Sequence, residues 1–374
     1  RYHLCREWRL PLVPDGVWVD PTAVDALGAL YGHTRRRVAA GGPRVSRHGC
    51  ISWHRQGNDR WDRHRSLGPS PPSALARRAD AAFLLIVPLG TTATSASSRW
   101  VQRQKRSKRL RVDHPHAAEL LTFYEDLLAL QEPLFAKASR SRWLGTVKTA
   151  GAPRLYLDRL PARPRERAFM AFVKNLPASS TVTLQAIAER LIAEPAATRR
   201  LLENFLAGHA IEAVAVTLDC AAPPLEFFPR AFMQPVAEAL VQRAGHGPAD
   251  CGDARTSCPY CGAAPLASVI RDGPEIKGVR SLLCSLCTCE WSFLRLCCPN
   301  CREQSPAALE YHVTDLLPHV RVEECRSCRT YLKAIDLRKN GLAVPEVDEL
   351  ASVELDLWAG EQGMAKLQKN VLGF

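Results

Sequence analysis

The chain has no apolar run approaching the roughly 18 residues that a membrane-spanning helix needs, and this excludes stable membrane insertion. Its longest candidate, Ala81 to Leu89, follows Arg77-Arg78 and superficially resembles a twin-arginine export signal. It lies far inside the chain and lacks the usual residues around the arginines, so it reads as a buried strand or as nothing. No N-terminal secretory signal is visible either, which argues against a disulfide framework and for a reducing, cytoplasmic setting. A cofactor-binding fold and a catalytic constellation are also missing. His114 and His116, beside Asp113, read as a solvated helix start, and the lone His209 and His312 as structural. No enzymatic activity is expected.

A surplus of positive charge is absent where a nucleic-acid binder would need it. The formal net charge is +12, but residues 1–112 hold 21 Lys+Arg against 7 Asp+Glu, so everything after Val112 is slightly acidic. Residues 251–374 carry 14 basic and 16 acidic side chains, whereas a domain that grips phosphates presents a basic face. A nucleic-acid partner is therefore not expected, although a zinc-ribbon nucleic-acid binder stays as an alternative because of the basic first third. That first third sustains neither a helical nor a strand period. Its runs Arg35-Arg36-Arg37 and Arg103 to Arg111 leave three readings. These are a stretch outside natural coding sequence, which ranks first, a disordered arm for polyanions, and a poorly packed extra domain.

What the chain does have is four Cys-x-x-Cys pairs: Cys258/Cys261, Cys284/Cys287, Cys298/Cys301 and Cys325/Cys328. A shift of about 40 residues maps the first two pairs onto the last two, an internal duplication. A Cys-x-x-Cys turn aims two thiolates at one point, and two such turns complete a tetrahedral set of four sulfurs, the preference of Zn(II) and of mononuclear iron. The duplication groups Cys258, Cys261, Cys284 and Cys287 in one site and Cys298, Cys301, Cys325 and Cys328 in the other. A cross-braced pairing, first knuckle with third and second with fourth, is the competing arrangement. Four thiolates leave no open position for catalysis, so the metals are structural in the first instance. Gly262 follows Cys261 where a positive φ turns backbone N–H groups toward sulfur; Arg302 stands at the equivalent place in the third knuckle. Cys289 and Cys297 have no partner pair and read as packed thiols.

Order begins after Asp113. Leu120, Tyr124, Leu127, Leu128, Leu134 and Phe135 recur at helical spacing between His116 and Lys137. Further helices are expected over 167–174, 184–193, 197–206 and 229–244, punctuated by Pro161, Pro177, Pro195, Pro223 and Pro224. Past a linker, short apolar runs at 268–270, 280–283, 291–296, 320–322 and 331–335 suggest small antiparallel ribbons, each too small to fold without its metal. A final helix is expected from Val347 to about Gln368. The fold class is thus α+β and multidomain. Residues 1–112 form a basic non-globular or spurious segment, 113–246 a helical domain and 247–257 a linker. Residues 258–296 and 297–340 form tandem four-cysteine modules, and 345–374 a C-terminal helix.

These residues resemble a known family. The CPYCG and CPNC knuckles, their CSLC and CRSC partners, the stretch CRSCRTYLKAID, the closing LDLWAGEQGMAKLQKNVLG and, more distantly, FFPRAFMQPVAEAL are similar to the formate dehydrogenase accessory protein family (FdhE). The similarity is strong from Cys258 onward, fair over 113–244 and absent from 1–112. It implies a cytoplasmic, non-enzymatic maturation factor with tandem rubredoxin-like modules, associating with the catalytic subunit of respiratory formate dehydrogenase. It also favours iron over zinc in the two four-cysteine sites, a choice the ligand type leaves open. A rubredoxin-like electron carrier is the remaining alternative.

Overall fold

The computed structural model describes residues 53–55, 96–141, 155–244, 255–274 and 276–374. The expectations for Ala81 to Leu89, for the arginine run at 35–37 and for most of the linker fall outside these residues. The first strand, β1 (Trp53–Arg55), pairs with a later strand of the sheet. The helical unit then comprises α1 (Ala96–Asp113), α2 (Ala118–Arg140), α3 (Ala162–Lys174), α4 (Val182–Ala193), α5 (Pro195–Ala207), α6 (Glu212–Thr217) and α7 (Ala222–Arg243).

The expected boundary at residue 112 is not where order begins. Helix α1 runs through it and buries Trp100, Arg103, Ser107 and Leu110, a stripe at spacings of three and four residues. Two of those four residues are polar, so the stripe is invisible as a hydrophobic period. Arg103 is only 3% exposed and donates to Glu238 at 2.9 Å and to Glu346 at 2.6 Å. Burial alone would lower its pKa, but the two carboxylates outweigh that and raise it. Arg106 likewise forks onto buried Asp348, which also receives His319 at 2.7 Å. Helix α1 is therefore pinned to α7 and to the helix over Pro345–Ala351 by charge-assisted hydrogen bonds.

Helix α7 is the axis of the unit and is apolar on nearly every side. Phe227, Phe228, Phe232, Met233, Val236 and Leu240 are all buried. Phe232 stacks against Phe169 and Phe172 of α3, with ring centroids 5.2 and 5.8 Å away. Pro235 inside α7 has no N–H to offer the carbonyl four residues earlier, that of Ala231. Gln131 of α2 supplies the missing donor at 2.7 Å, so the carbonyl that Pro235 frees keeps a partner. The side chain of Thr181 caps α4 by accepting from the Leu184 N–H, and Gly208, at φ 69°, ends α5 in the left-handed conformation.

The metal-module region forms one sheet. Strands β2 (Pro265–Arg271), β3 (Val279–Cys284) and β4 (Glu290–Ser292) belong to the first half, and β5 (Leu309–Thr314), β6 (Val320–Cys325) and β7 (Thr330–Asp336) to the second. Within each half the pairing is antiparallel, as expected. The two halves are not separate ribbons, however. Strand β2 pairs in parallel with β7 over Ala267–Ile270, giving the order β1-β5-β6-β7-β2-β3-β4. Strand β5 has no apolar run, which is why the sequence pattern passes over it.

The C-terminal helix expected over 347–368 is broken into α8 (Pro345–Ala351) and α9 (Val353–Glu361), followed by the short β8 (Ala365–Lys366). The cause is Lys333 of β7, whose ammonium is fully buried. It donates to the carbonyls of Glu349 and Ser352 and to Asp356 at 2.7 Å. Taking carbonyls that a continuous helix would keep for itself ends α8 at Ser352. Gly363, at φ 71°, then turns the chain back so that β8 pairs with β7.

Candidate metal centres

Each half presents two loops whose hydrogen bonds repeat. In the first knuckle the N–H of Cys258 donates to Ala263 O at 2.8 Å and that of Gly262 to Cys258 O at 2.9 Å. In the third, the N–H of Cys298 donates to Glu303 O at 2.8 Å and that of Arg302 to Cys298 O at 3.0 Å. The second and fourth knuckles sit on strand turns, where Cys284 donates to Cys289 O at 2.9 Å and Cys325 pairs in register with Thr330. In all four loops the residue after the second cysteine has a positive φ: Gly262 79°, Thr288 53°, Arg302 65° and Arg329 54°. Arg302 therefore does not relax the turn. It adopts the conformation that glycine takes at Gly262, at a cost on the order of 1 kcal/mol.

These loops bring the eight cysteines into two groups of four, Cys258, Cys261, Cys284 and Cys287, and Cys298, Cys301, Cys325 and Cys328, with all sulfurs of a group within 4.8 Å of one another. In the first, Cys258 and Cys287 are 3.5 Å apart and Cys261 and Cys284 3.3 Å. In the second, Cys298 and Cys328 are 3.7 Å apart and Cys301 and Cys325 3.6 Å. A tetrahedron with metal–sulfur bonds of about 2.3 Å has edges of about 3.8 Å, close to the separations of these four pairs and inside the 4.8 Å limit of each group, so both clusters fit a tetrathiolate ion. Backbone N–H groups already point at sulfur: those of Leu286 and Cys287 at Cys284 Sγ, and that of Asn300 at Cys298 Sγ.

Burial and hydrogen bonding divide the cysteines of each cluster into thiols held neutral and thiols eased toward thiolate. In the first, hydrogen bonds from Cys261, Cys284 and Cys287 hold Cys258 far below the ordinary thiol range, while burial pushes Cys284 and Cys287 well above it. In the second, burial pushes Cys298 and Cys325 up. Cys328 is held at about 6 because the Thr330 hydroxyl, 2.9 Å from its sulfur, and other hydrogen bonds overcome the upward push of burial. Four thiolates converge without mutual repulsion only around a positive ion.

The clusters are anchored differently. Cys258, Cys284 and Cys287 are no more than 2% exposed and belong to the same apolar core as the helical unit. The N–H of Leu155 donates to Tyr260 O at 2.8 Å, the indole of Trp291 donates to Arg255 O, and Arg103 reaches Thr288 Oγ1 at 3.4 Å. In the second cluster Cys301 is exposed and Cys328 half-buried. Cys289 and Cys297 are packed thiols outside both groups, pointing at backbone carbonyls. Glu310, His312 and Glu324 form a third convergence, but their charges are already matched: Arg326 holds Glu310, Arg329 holds Glu324, and His312 meets Glu324 at 3.0 Å. His116 pairs with Glu354 at 3.1 Å, and His209 lies exposed at the end of α5. The supporting residues Thr330, Thr288 and Arg103 carry no sequence signature. Thr288 and Thr330, one and two places after a ligand cysteine, lie where a sequence pattern could have marked them; Arg103 does not.

A helical unit fused to a sheet with two tandem tetrathiol knuckle pairs defines a rubredoxin-like or zinc-ribbon-like double-knuckle protein. Residues 257–295 match the family profile described as FdhE, central domain, and residues 296–372 the one described as FdhE, C-terminal domain. A "Protein FdhE homolog" of Pectobacterium carotovorum is 30% identical over 278 residues, 73% of this chain and 86% of that protein. Another, from Aquifex aeolicus, is 43% identical over 117 residues, 31% of this chain, so the chain spans about two-fifths of the length of that relative. The crystal structure of the FdhE protein from Pseudomonas aeruginosa superimposes with a TM-score of 0.57 at 26% identity, covering 74% of this chain and 96% of that one. The chain belongs to the FdhE family.

Proposed function

We propose that this protein is an accessory factor in the maturation of formate dehydrogenase, that it acts without catalysis of its own, and that it works in the cytoplasm by binding the catalytic subunit of that enzyme. Membership of the FdhE family together with the two convergent four-thiol clusters carries the proposal. Cys258, Cys261, Cys284 and Cys287 would hold one metal ion, and Cys298, Cys301, Cys325 and Cys328 a second, with iron favoured over zinc. The bound ion supplies a covalent cross-link between two knuckles and, if it is iron, a one-electron change that alters the local charge by one unit. The chain's own residues do the rest. Backbone N–H groups at Leu286, Cys287 and Asn300 and the Thr330 hydroxyl stabilise thiolate over thiol. Arg103 and Arg106 fasten α1 to α7 and α8 and Lys333 locks β7 to α8 and α9, so that a change at a knuckle meets a rigid body rather than a tethered ribbon. Among the described residues no helix is long and apolar enough to cross a membrane, in keeping with contact to a client rather than insertion. Co-precipitation of the catalytic subunit with the intact chain, and its loss when each cluster is changed to serine in protein that stays folded, is the expected result. Retained binding and full client activity would reduce the clusters to scaffolding.

A further inference from the structure

The two clusters share a ligand set but not a setting. The first is sealed: three of its four thiols lie in the core shared with the helical unit, Cys261 alone is half-buried, and Arg103 and Trp291 fasten its loops. The second is open on one side. Cys301 is exposed and Cys328 half-buried, while Cys298 and Cys325 are 4% and 3% exposed. The loops carrying Cys301 and Cys328 are tied to each other at the surface, where Ser327 donates to Glu303 at 2.8 Å. Both loops also hold an arginine in the left-handed conformation, Arg302 and Arg329, where the first cluster has one glycine and one threonine.

Exchange of a tetrathiolate ion proceeds by attack of an incoming ligand on the metal and stepwise departure of thiolates. Access for the attacker and freedom of the first thiolate to swing away therefore set the rate. Resting on the reading that both clusters hold metal, we propose that the second cluster is the exchange site. Metal enters and leaves between Cys301 and Cys328, passing to or from an acceptor that offers sulfur or nitrogen ligands, while the first cluster keeps its ion as part of the fold. In the exchange a divalent cation passes from four thiolates to the acceptor, the freed thiolates take protons from water, and no electron moves.

The test uses the full chain loaded with cobalt(II), read by its thiolate charge-transfer absorbance, and challenged with excess EDTA in the presence of iodoacetamide. One cobalt is expected to leave at least about tenfold faster than the other, with alkylation mapping to Cys301 and Cys328 during the fast phase while Cys258, Cys284 and Cys287 stay unmodified. Cys301→Ser is expected to abolish the fast phase alone. Should that variant not fold, alkylation mapping on the unaltered chain still decides. Loss of both ions in a single phase, or first alkylation in the Cys258 set, overturns the proposal and leaves the metal reading standing. Failure to take up cobalt at all overturns both.

Discussion

Replacing Arg103 by methionine removes a guanidinium that lies between two carboxylates. Glu238 is 1% exposed and receives Arg103 at 2.9 Å, and Glu346 receives it at 2.6 Å. The variant fills much of the volume but leaves the Glu238 and Glu346 carboxylates facing each other, with the partly exposed Arg99, 3.4 Å from Glu238, as the nearby cation. Removing one partner of a buried pair costs about 3–5 kcal/mol, because the other charge stays desolvated. Urea unfolding followed by circular dichroism on metal-loaded protein measures it. A loss of about 3 kcal/mol or more is expected for Arg103→Met, with part of it recovered in Arg103→Met/Glu238→Gln, where of the two carboxylates only that of Glu346 is left without the guanidinium. The internal control is Arg109, on the same helix but 71% exposed in its pair with Asp113, whose replacement by alanine should change stability by no more than about 0.5 kcal/mol. If Arg103→Met matched the Arg109 control, α1 would not be an integral part of the fold.

Other expectations follow from single contacts. Arg302→Gly removes a side chain from a backbone at φ 65° and should stabilise the second module by up to about 1 kcal/mol, read by thermal denaturation; destabilisation would mean the arginine makes a compensating contact. Lys333→Met leaves Glu349 and Asp356 with Lys366 as their one remaining cation among the described contacts and should cost about 3 kcal/mol in urea; a neutral effect would contradict the account of the broken C-terminal helix. Asp348 is buried, which raises its pKa, yet hydrogen bonds from His319 and Arg106 win and hold it below the usual carboxylate range. Its contribution is therefore fully present above the unfolded value of about 3.9 and is lost as pH falls through the lower folded one. Asp348→Asn should flatten the acid limb of stability below about pH 4, and an unchanged limb would remove Asp348 from the acid response.

The eight cysteines and their grouping in fours were legible because knuckle spacing is a local property and the duplication repeats it. The buried faces of α2 and α7 were legible for a similar reason: their residues are overtly apolar. Helix α1 was not, because its buried stripe contains Arg103 and Ser107 and its partners lie at Glu238 and Glu346, far along the chain. A charge run looks solvated until its counter-charges are placed in space. The parallel pairing of β2 with β7 and the break at Ser352 have the same origin, since both depend on Lys333 and its strand meeting segments that no periodicity links to them. Arg302 shows the converse: sequence correctly located the left-handed turn, and the fold keeps it despite the residue.

The most direct test of the two tetrathiolate sites is metal analysis of the full chain purified without oxygen, combined with counting of accessible thiols before and after denaturation. Two metal ions per chain, with the eight knuckle thiols protected until unfolding, is the result expected. A folded, metal-free chain whose knuckle thiols all react freely, or are joined as disulfides, would contradict it.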